Sequence, residues 1–281
     1  MATEPVLITG CSSGIGYATA ERLLQDGYTV YATARRPDSI AALAAKGATT
    51  LALDVTDEAS MSAAVAQVTE AEGAVGVLIN NAGYSQSGAV ESVPVDEVRR
   101  QFDTNVFGLI RMCQLVLPGM RERGSGRIVN IGSMGGRLTF PGGGIYHATK
   151  YAVEALSDAL RFEVRGFGID VILVEPGLIV TNFGEVAAGS VEAVAEGNGP
   201  YADFNRHVAK TTTDAYKGPM AKLGGPPDVV AATIAKALKA KRPRARYAVT
   251  PSAHLLIGQR RITPDRLWDL MMRAQFPTPK R

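Results

Sequence analysis

The sequence predicts an α/β fold, a three-layer, doubly wound parallel sheet of about seven strands with helices on both faces. Short apolar runs alternate with longer amphipathic segments along most of the chain, and a glycine-rich turn directly follows the first run. Repeated strand–helix units imply right-handed crossovers and a parallel sheet covered on both faces. With 281 residues, 46% of them hydrophobic, the chain fits one large domain spanning residues 1–281.

The first unit consists of a strand at Val6–Thr9, a glycine-rich turn and a helix at Tyr17–Gln25. Glycine permits a tight turn and close approach of a phosphate, and the helix N-terminus offers free N–H groups to a pyrophosphate. The sequence therefore predicts dinucleotide binding here, with a generic glycine turn as the alternative. The candidate residues are Gly10, Ser12, Ser13, Gly14, Ile15 and Gly16.

The second predicted strand, Thr29–Thr33, ends in Ala34-Arg35-Arg36. An NAD-preferring site carries an acidic residue near this position to bind the ribose 2′-hydroxyl. Two guanidinium groups without a carboxylate suit a 2′-phosphate, so NADP (NADPH) is predicted and NAD is less favoured. Solvated surface arginines are the alternative interpretation.

The next two units continue the alternation. Asp54 follows the third strand, where its carboxylate could contact adenine or cap the next turn, and Asn80-Asn81-Ala82-Gly83 ends the fourth. The predicted elements are a short helix at Asp38–Lys46, a strand at Thr49–Leu53, a helix at Ser60–Glu72 and a strand at Gly76–Ile79.

A long helical span, Val95–Arg123, contains Asn105 and Gly108, which both disfavour a helix interior, so a kink or special contact is expected. Ser133 closely follows a fifth strand at Gly126–Ile131. Ligands of open α/β sheets bind at the carboxyl ends of strands, which makes Ser133 a candidate site residue.

Tyr146 and Lys150 begin the next predicted helix, Tyr146–Gly166. Positions i and i+4 share a helix face, so the ammonium should lower the pKa of the phenol, whereas desolvation would act in the opposite sense. A tyrosine titrating nearer neutrality could transfer a proton. Alone, Tyr-x-x-x-Lys is a weak pattern. A sixth strand, Asp170–Val174, precedes Pro176-Gly177.

The last third has a different pattern. Residues 178–225 show little periodicity and are expected to form a substrate loop or lid. A helix at Pro227–Lys239, a strand at Arg246–Thr250 and a C-terminal helical segment at 264–276 follow. The apolar residues of that last segment could line a pocket, form an oligomer contact or belong to the core.

Composition argues against several other classes. The net charge is +3, and the basic residues between Lys236 and Arg246 fit a solvated helix end better than a nucleic-acid site. The two cysteines and three histidines are widely separated, so neither a disulfide nor a metal site is predicted. No signal peptide, membrane anchor or membrane-spanning run is recognisable, and we expect a cytoplasmic protein.

Six motifs in sequence order resemble the short-chain dehydrogenase/reductase family, in its single-domain branch. They are Thr9-Gly10-x-x-x-Gly14-Ile15-Gly16, Asn80-Asn81-Ala82-Gly83, Asn105, Ser133, Tyr146-x-x-x-Lys150 and Pro176-Gly177. The glycine turn together with Val30–Arg36 is similar to the group that holds the 17β-hydroxysteroid and retinol dehydrogenases.

The resemblance implies roles for individual residues. Tyr146 would be the acid/base, Lys150 would lower the tyrosine pKa and hold the nicotinamide ribose, and Ser133 would bind the substrate oxygen. Asn105 would support a water-linked proton relay. Besides the glycine turn, Tyr146 and Lys150, the implied cofactor contacts are Arg35 at the 2′-phosphate, Asp54 near adenine, Asn81 near the adenosine ribose with Ala82 and Gly83 beside it, and Pro176, Gly177 and Thr181 at the nicotinamide.

The resulting hypothesis is an NADP-dependent oxidoreductase that acts on the carbonyl/alcohol carbon of a small apolar molecule such as a steroid, retinoid or lipid. The alternative is a non-catalytic NADP-binding sensor or scaffold with the same fold. A dehydratase or epimerase would usually have a longer substrate domain and a different glycine spacing. The resemblance also implies a homodimer or homotetramer.

Overall fold

The computed structural model describes residues 4–181, 183–195 and 199–279. Its centre is a seven-stranded, all-parallel sheet in the order β3-β2-β1-β4-β5-β6-β7. The predicted fold class is therefore confirmed. The strands are β1 Val6–Ile8, β2 Val30–Ala34, β3 Thr49–Ala52, β4 Val77–Asn80, β5 Gly126–Ile131, β6 Ile169–Pro176 and β7 Arg246–Val249.

Helices cover both faces of this sheet. A 3-10 turn at Pro37–Ile40 precedes α2, and a π-helical turn at Asp103–Phe107 separates α4 from α5. The helices are α1 Gly14–Gln25, α2 Ala41–Ala44, α3 Glu58–Glu72, α4 Val95–Phe102, α5 Gly108–Arg123, α6 Gly144–Glu163, α7 Phe183–Ala195, α8 Ala202–Lys217, α9 Pro227–Lys239, α10 Pro251–Ile262 and α11 Asp265–Gln275. Within the described residues, no helix is long and apolar enough to cross a membrane.

The side chains of the buried strands point alternately to the two faces of the sheet, and each face carries its own hydrophobic core. Val6 and Ile8 of β1 pack on the face covered by α1 and α9, whereas Leu7 packs on the face covered by α3, α5 and α6. Successive strand residues point to opposite faces, so an apolar run without polar interruption is buried on both sides. Strand order reverses between β1 and β4, and a crevice is expected outside their carboxyl ends.

The expected kink near Asn105 is confirmed. The segment predicted as one helix over Val95–Arg123 is interrupted by the π-helical turn, with Asn105 buried inside it. Such turns are rare and are frequently found at functional sites. The break turns the Asn105 side chain towards neighbouring segments instead of leaving it on a regular helix surface.

The segment 178–225 differs from the expected irregular loop. It contains α7 and α8, which pack against each other, although residues 182 and 196–198 lie outside the described part. Small and polar residues weaken the apolar period of these helices, so tertiary packing decides their conformation. The lid role remains a prediction. Helix α10 was also not predicted from the sequence.

Candidate active site

A deep cleft of about 1380 Å³ opens at the carboxyl ends of the strands. Most of the predicted site residues line it, although they come from seven different segments of the chain. They are Gly10, Ser12, Ser13, Gly14, Ile15, Arg35, Asp54, Asn81, Ala82, Gly83, Ser133, Tyr146, Lys150, Pro176, Gly177 and Thr181. The predicted residues outside this lining are Gly16 and Asn105.

Gly10 and Gly16 allow the glycine turn to pack closely on its neighbours. Gly10 has φ +73°, and a Cβ there would lie 2.9 Å from the Ala82 Cα. A Cβ at Gly16 would lie 2.4 Å from the Gly10 carbonyl oxygen. Gly16 therefore shapes the turn from behind and does not face the cleft, which corrects its predicted placement as a direct ligand contact.

Thr9 and Asn81 lock the glycine turn to the end of β4. The Asn81 Nδ2 group donates to the carbonyl oxygens of Thr9 and Gly10, at 2.9 Å each. In return, the Thr9 hydroxyl accepts from the backbone N–H groups of Asn81 and Ala82, at 3.0 Å each. These four bonds fix the two loops on either side of the crevice.

The N-terminus of α1 suits an anionic group. Ser13 is the N-cap residue, but it makes no side-chain capping hydrogen bond, and the first turn carries no acidic residue. The leading N–H groups of the helix and its dipole are thus left for a ligand that enters from the cleft. The pyrophosphate of a dinucleotide has the required charge.

Arg35 and Asp54 lie on the same side of the cleft. Arg35 is exposed and lines the cleft at the end of β2, whereas Arg36 does not line it. Asp54 accepts hydrogen bonds from the backbone N–H and the hydroxyl of Thr56, at 2.9 and 2.8 Å. The capping role considered for Asp54 is therefore present, and the residue also borders the cleft.

Tyr146, Lys150 and Ser133 converge deeper in the cleft. The Lys150 Nζ lies 5.8 Å from the centre of the Tyr146 ring and donates to the Ile131 carbonyl oxygen at 2.8 Å. The Ser133 hydroxyl accepts from the Gly135 N–H at 3.0 Å, which fixes its direction after β5. Two hydroxyl groups and one ammonium thus surround a single region of the cleft.

Burial has the largest effect on the pKa values of Tyr146 and Lys150. Desolvation raises the pKa of Tyr146 above its usual value, although a hydrogen bond with Ser133 acts in the opposite direction. Desolvation lowers the pKa of Lys150 to about 8. The predicted fall of the tyrosine pKa is therefore wrong for the protein alone, because removing the phenolate from water outweighs the hydrogen bond with Ser133.

Asn105 holds the wall of the cleft from behind. Its Nδ2 group donates to the Tyr84 carbonyl oxygen at 2.9 Å and to the Thr149 hydroxyl at 3.1 Å. Its Oδ1 atom accepts from the Tyr84 N–H at 3.1 Å. The amide thereby connects the segment after β4 with α6 one residue before Lys150, and its side chain is occupied by these bonds.

Sequence reasoning missed His147. Its Nδ1 atom lies 2.9 Å from the Gly135 carbonyl oxygen, and its Nε2 atom accepts from the Phe140 N–H at 3.2 Å. Burial lowers the pKa of His147, so the neutral imidazole can donate through Nδ1 and accept through Nε2. It fixes the Met134–Gly143 loop beside Tyr146. Its position next to Tyr146 was the one available signal.

A buried polar chain beneath the cleft was also missed. The Asn80 Nδ2 group donates to the Asn130 Oδ1 atom at 2.9 Å, and the Asn130 Nδ2 group donates to the Ser157 hydroxyl at 2.9 Å. These bonds join β4, β5 and α6, the elements that precede or carry Asn81, Ser133 and Lys150. Asn130 stands in an apolar strand, which was its only sequence signal.

The other end of the cleft is mainly apolar. A separate hydrophobic cluster formed by Leu138 and residues of α7, α8 and α11 borders it. Phe183 lies next to Tyr146, with ring centres 5.5 Å apart. The apolar lining residues include Phe140, Val208, Tyr216, Met220, Leu256, Trp268, Met271, Met272 and Phe276.

Comparisons with known proteins identify the family of this chain. Residues 4–189 match the family model described as short chain dehydrogenase. Among curated proteins, 3-ketodihydrosphingosine reductase of Bacteroides thetaiotaomicron is 36% identical over 98% of this chain and 99% of that protein. NADPH-dependent 3-dehydrocapnine reductase of Ornithobacterium rhinotracheale is 34% identical over 94% of both chains. Human 17-beta-hydroxysteroid dehydrogenase type 1 is 38% identical over 89% of this chain and 78% of that protein.

Proposed function

The chain belongs to the short-chain dehydrogenase family of NAD(P)-dependent oxidoreductases that act on CH–OH and C=O groups, and on that basis we propose that it is an NADP-dependent carbonyl reductase and alcohol dehydrogenase for an apolar substrate. One observation carries the proposal. Tyr146, Lys150 and Ser133 face the same cleft as the uncapped N-terminus of α1 and Arg35.

Arg35 supports the choice of NADP. It borders the cleft at the end of β2, where a 2′-hydroxyl would require a carboxylate acceptor. A guanidinium pairs instead with a phosphate through charge-assisted hydrogen bonds. The name of the Ornithobacterium rhinotracheale relative also specifies NADPH. We assign the turn residues Gly10 to Ile15 to the pyrophosphate, and Asn81, Ala82 and Gly83 to the adjacent ribose.

The size and lining of the cleft support an apolar substrate. Ordinary ligand sites occupy about 300 to 1,000 Å³, and this cleft of about 1380 Å³ has room for a cofactor and a second sizeable molecule. The wall beyond Tyr146 consists largely of aromatic and methionine side chains from α7, α8 and α11. Two of the relatives are named for a ketosphingoid and a steroid, both with extended hydrocarbon parts.

The groups around Tyr146 account for proton transfer. A nicotinamide cofactor held in the cleft would supply or accept the hydride at the substrate carbon. Tyr146, neutral because of its raised pKa, donates its proton to the carbonyl oxygen, and Ser133 donates a second hydrogen bond to that oxygen. Lys150, with a pKa of about 8, is mostly charged at neutral pH and stabilises the phenolate that forms. In the reverse direction, the phenolate accepts the alcohol proton.

Asn105 bonds the backbone of Tyr84 and the hydroxyl of Thr149, the residue before Lys150. These bonds favour the supporting role that we assign to Asn105 in a water-linked proton relay from Lys150. Pro176, Gly177 and Thr181 line the cleft, and we assign them to the nicotinamide side.

A panel of ketones, aldehydes and alcohols tests the function, with absorbance of NADPH as the measurement. Long-chain and polycyclic carbonyl compounds are expected to be reduced with NADPH, and small polar ones much more slowly. Tight NADPH binding without turnover of any member would favour the sensor hypothesis. Turnover of polar substrates alone would contradict the assignment of the apolar wall.

Three exposed aromatic side chains support the oligomer prediction. Phe107, Tyr151 and Phe162 are 56%, 44% and 83% exposed, and they lie at the α4–α5 junction and on α6. We propose that these helices pack across subunits. Light scattering should give the mass of a dimer or tetramer, and a monomer at micromolar concentration would contradict this assignment.

A further inference from the structure

Two buried glutamates lie directly behind the reacting groups. Glu154 is on α6, four residues after Lys150, and Glu175 is on β6, one residue before Pro176. Their relative exposures are only 7% and 3%. Neither residue lines the cleft, so the proposed reaction gives them no direct role.

The two carboxyl groups share the same pair of arginines. Arg137 Nη1 lies 3.2 Å from Glu175 Oε1 and 3.9 Å from Glu154 Oε2. Arg246 Nε lies 3.0 Å from Glu154 Oε2 and 4.0 Å from Glu175 Oε1. Both carboxyl groups therefore have the same two arginine neighbours. The two glutamates are also close enough for a side-chain hydrogen bond between them.

The arginines do not satisfy every oxygen of this pair. Glu154 Oε1 is buried and has no hydrogen-bond partner among the described residues. Arg246 also binds Asp158 at 2.5 Å, and Asp158 has Arg161 as a second partner at 2.6 Å. A buried carboxylate oxygen without a partner is costly, but a carboxylic acid O–H at that position can donate to the neighbouring carboxylate.

The pair connects three segments that carry reacting groups. Glu154 lies one helical turn beyond Lys150, and Glu175 adjoins Pro176 and Gly177 of the cleft. The turn after Ser133 packs on the same place, because a Cβ at Gly136 would lie 2.8 Å from the Lys150 carbonyl oxygen and 2.9 Å from Glu154 Cγ. A change in the pair would therefore be transmitted to the positions of Lys150 and Ser133.

We propose that Glu154 and Glu175 share one proton and, as a hydrogen-bonded carboxyl pair, position the Lys150 turn of α6 against the Pro176–Gly177 end of β6. The pair acts through its neighbours and does not contact the substrate. Its effect on turnover rests on the function proposed above, whereas the shared proton itself does not. Loss of the proton leaves two buried negative charges side by side, and their repulsion loosens this contact.

The sign of the pH effect follows from the environment. Burial, and then the charge and hydrogen bond of Glu175, raise the pKa of Glu154 from 4.5 to about 7, although Arg246 acts in the opposite direction. A raised pKa in the folded state means that the stabilisation is complete below the unfolded value and is lost as pH rises through about 7. Stability and turnover should both decline across that interval.

Glu154→Gln is the most informative variant, because its amide can donate to Glu175, accept from Arg246 and cannot titrate. The unfolding temperature of the wild type should fall as pH rises from about one unit below 7 to about one unit above it. The unfolding temperature of E154Q should not change over this interval. Its kcat should also stay level where the wild-type kcat falls by up to about tenfold, a range that small misplacements of reacting groups produce. The KM for NADPH should change little.

Glu154→Ala and Asp158→Asn complete the design. E154A loses the bond to Glu175 and should lower kcat below pH 7, where the wild type retains that bond, so recovery in E154Q identifies the hydrogen bond as the cause. D158N removes an outer carboxylate that binds the same Arg246, and it should retain the pH response of the wild type. Infrared spectra should show a protonated carboxylic acid band in the wild type that E154Q and E175Q both lack.

The shared-proton proposal would be overturned if the unfolding temperatures of the wild type and E154Q changed in parallel with pH. It would also be overturned if the wild type showed no infrared band of a protonated carboxylic acid. These two readouts require no substrate, so they decide the question even if the proposed reaction is wrong. Conversely, loss of turnover in a Tyr146→Phe variant would support the proposed reaction, whether or not Glu154 and Glu175 prove to share a proton.

Discussion

The two halves of the cleft are built differently. The half next to β1, β2 and β4 is formed mainly by backbone turns at the ends of strands, with Gly10, Asn81 and Arg35 at its edge. The half beyond Tyr146 is formed by side chains of α7, α8, α10 and α11, and its wall is apolar. The first half contains short sequence motifs, whereas the second contains none.

This difference follows from what each half must recognise. Phosphates bind to N–H groups and to the end of a helix dipole, so the glycine turn needs a particular backbone conformation that few sequences provide. An apolar surface needs only volume and hydrophobicity, which many combinations of side chains can supply. A ligand contact made through the backbone thus leaves a stronger sequence pattern than one made through packing.

Tyr146→Phe tests the junction of the two halves and should have the largest effect. Loss of the phenolic hydroxyl removes the proposed proton donor, so kcat should fall by about 10²- to 10⁴-fold. NADPH affinity, measured by fluorescence titration, should stay within about threefold, because the backbone contacts of the cofactor half remain. Tyr151→Phe on the exposed side of the same helix is the matched control. Near-normal turnover of the Tyr146 variant would refute the mechanism.

Arg35→Ala tests the cofactor half alone. Loss of a charge-assisted bond to the 2′-phosphate should weaken NADPH binding by about 10- to 100-fold. NADH binding, measured by the same titration, should hardly change. Arg36→Ala is the control, since Arg36 does not line the cleft and its loss should matter much less. Equal weakening of both cofactors by Arg35→Ala would exclude the 2′-phosphate role.

Gly16→Ala tests whether packing behind the turn, and not ligand contact, explains this glycine. The added methyl would lie 2.4 Å from the Gly10 carbonyl oxygen and 2.5 Å from Asn81 Nδ2. Overpacking of this kind lowers the free energy of unfolding by about 1 to 3 kcal/mol. Gly166→Ala has open space around the new Cβ and should be nearly neutral. Urea unfolding of both variants is the measurement, and equal midpoints would disprove the interpretation.

Met271→Ala tests the substrate half and should have the smallest effect. Met271 lines the cleft on α11, so its truncation should raise KM for long apolar carbonyl compounds by about tenfold. NADPH affinity and KM for short substrates should be unchanged. Leu270→Ala, at an adjacent position that is 63% exposed, is the control. A similar KM increase for short and long substrates would contradict the assigned wall.

Much of the fold and of the cofactor half could be predicted from the sequence. The order of strands and helices up to β6, the kink at Asn105 and the cleft positions of Ser133 and Lys150 all agree with the structure. Helices α7 and α8 could not be predicted as readily, because small and polar residues obscure their period. Buried partners such as Asn130 and His147 stand in ordinary sequence contexts, and only their distant contacts reveal them.

By itself, the sequence determined the alternation of strands and helices, the glycine turn and the placing of one tyrosine and one lysine on the same helix face. These features depend on residues close together in the chain. Only the tertiary structure decided the proton affinities, since burial raises the pKa of Tyr146 and lowers that of Lys150. It also placed Glu154 beside Glu175. The pKa values depend on desolvation, and the closeness of the two glutamates depends on contacts between distant segments. Residues that are close together in the chain determine neither of these properties.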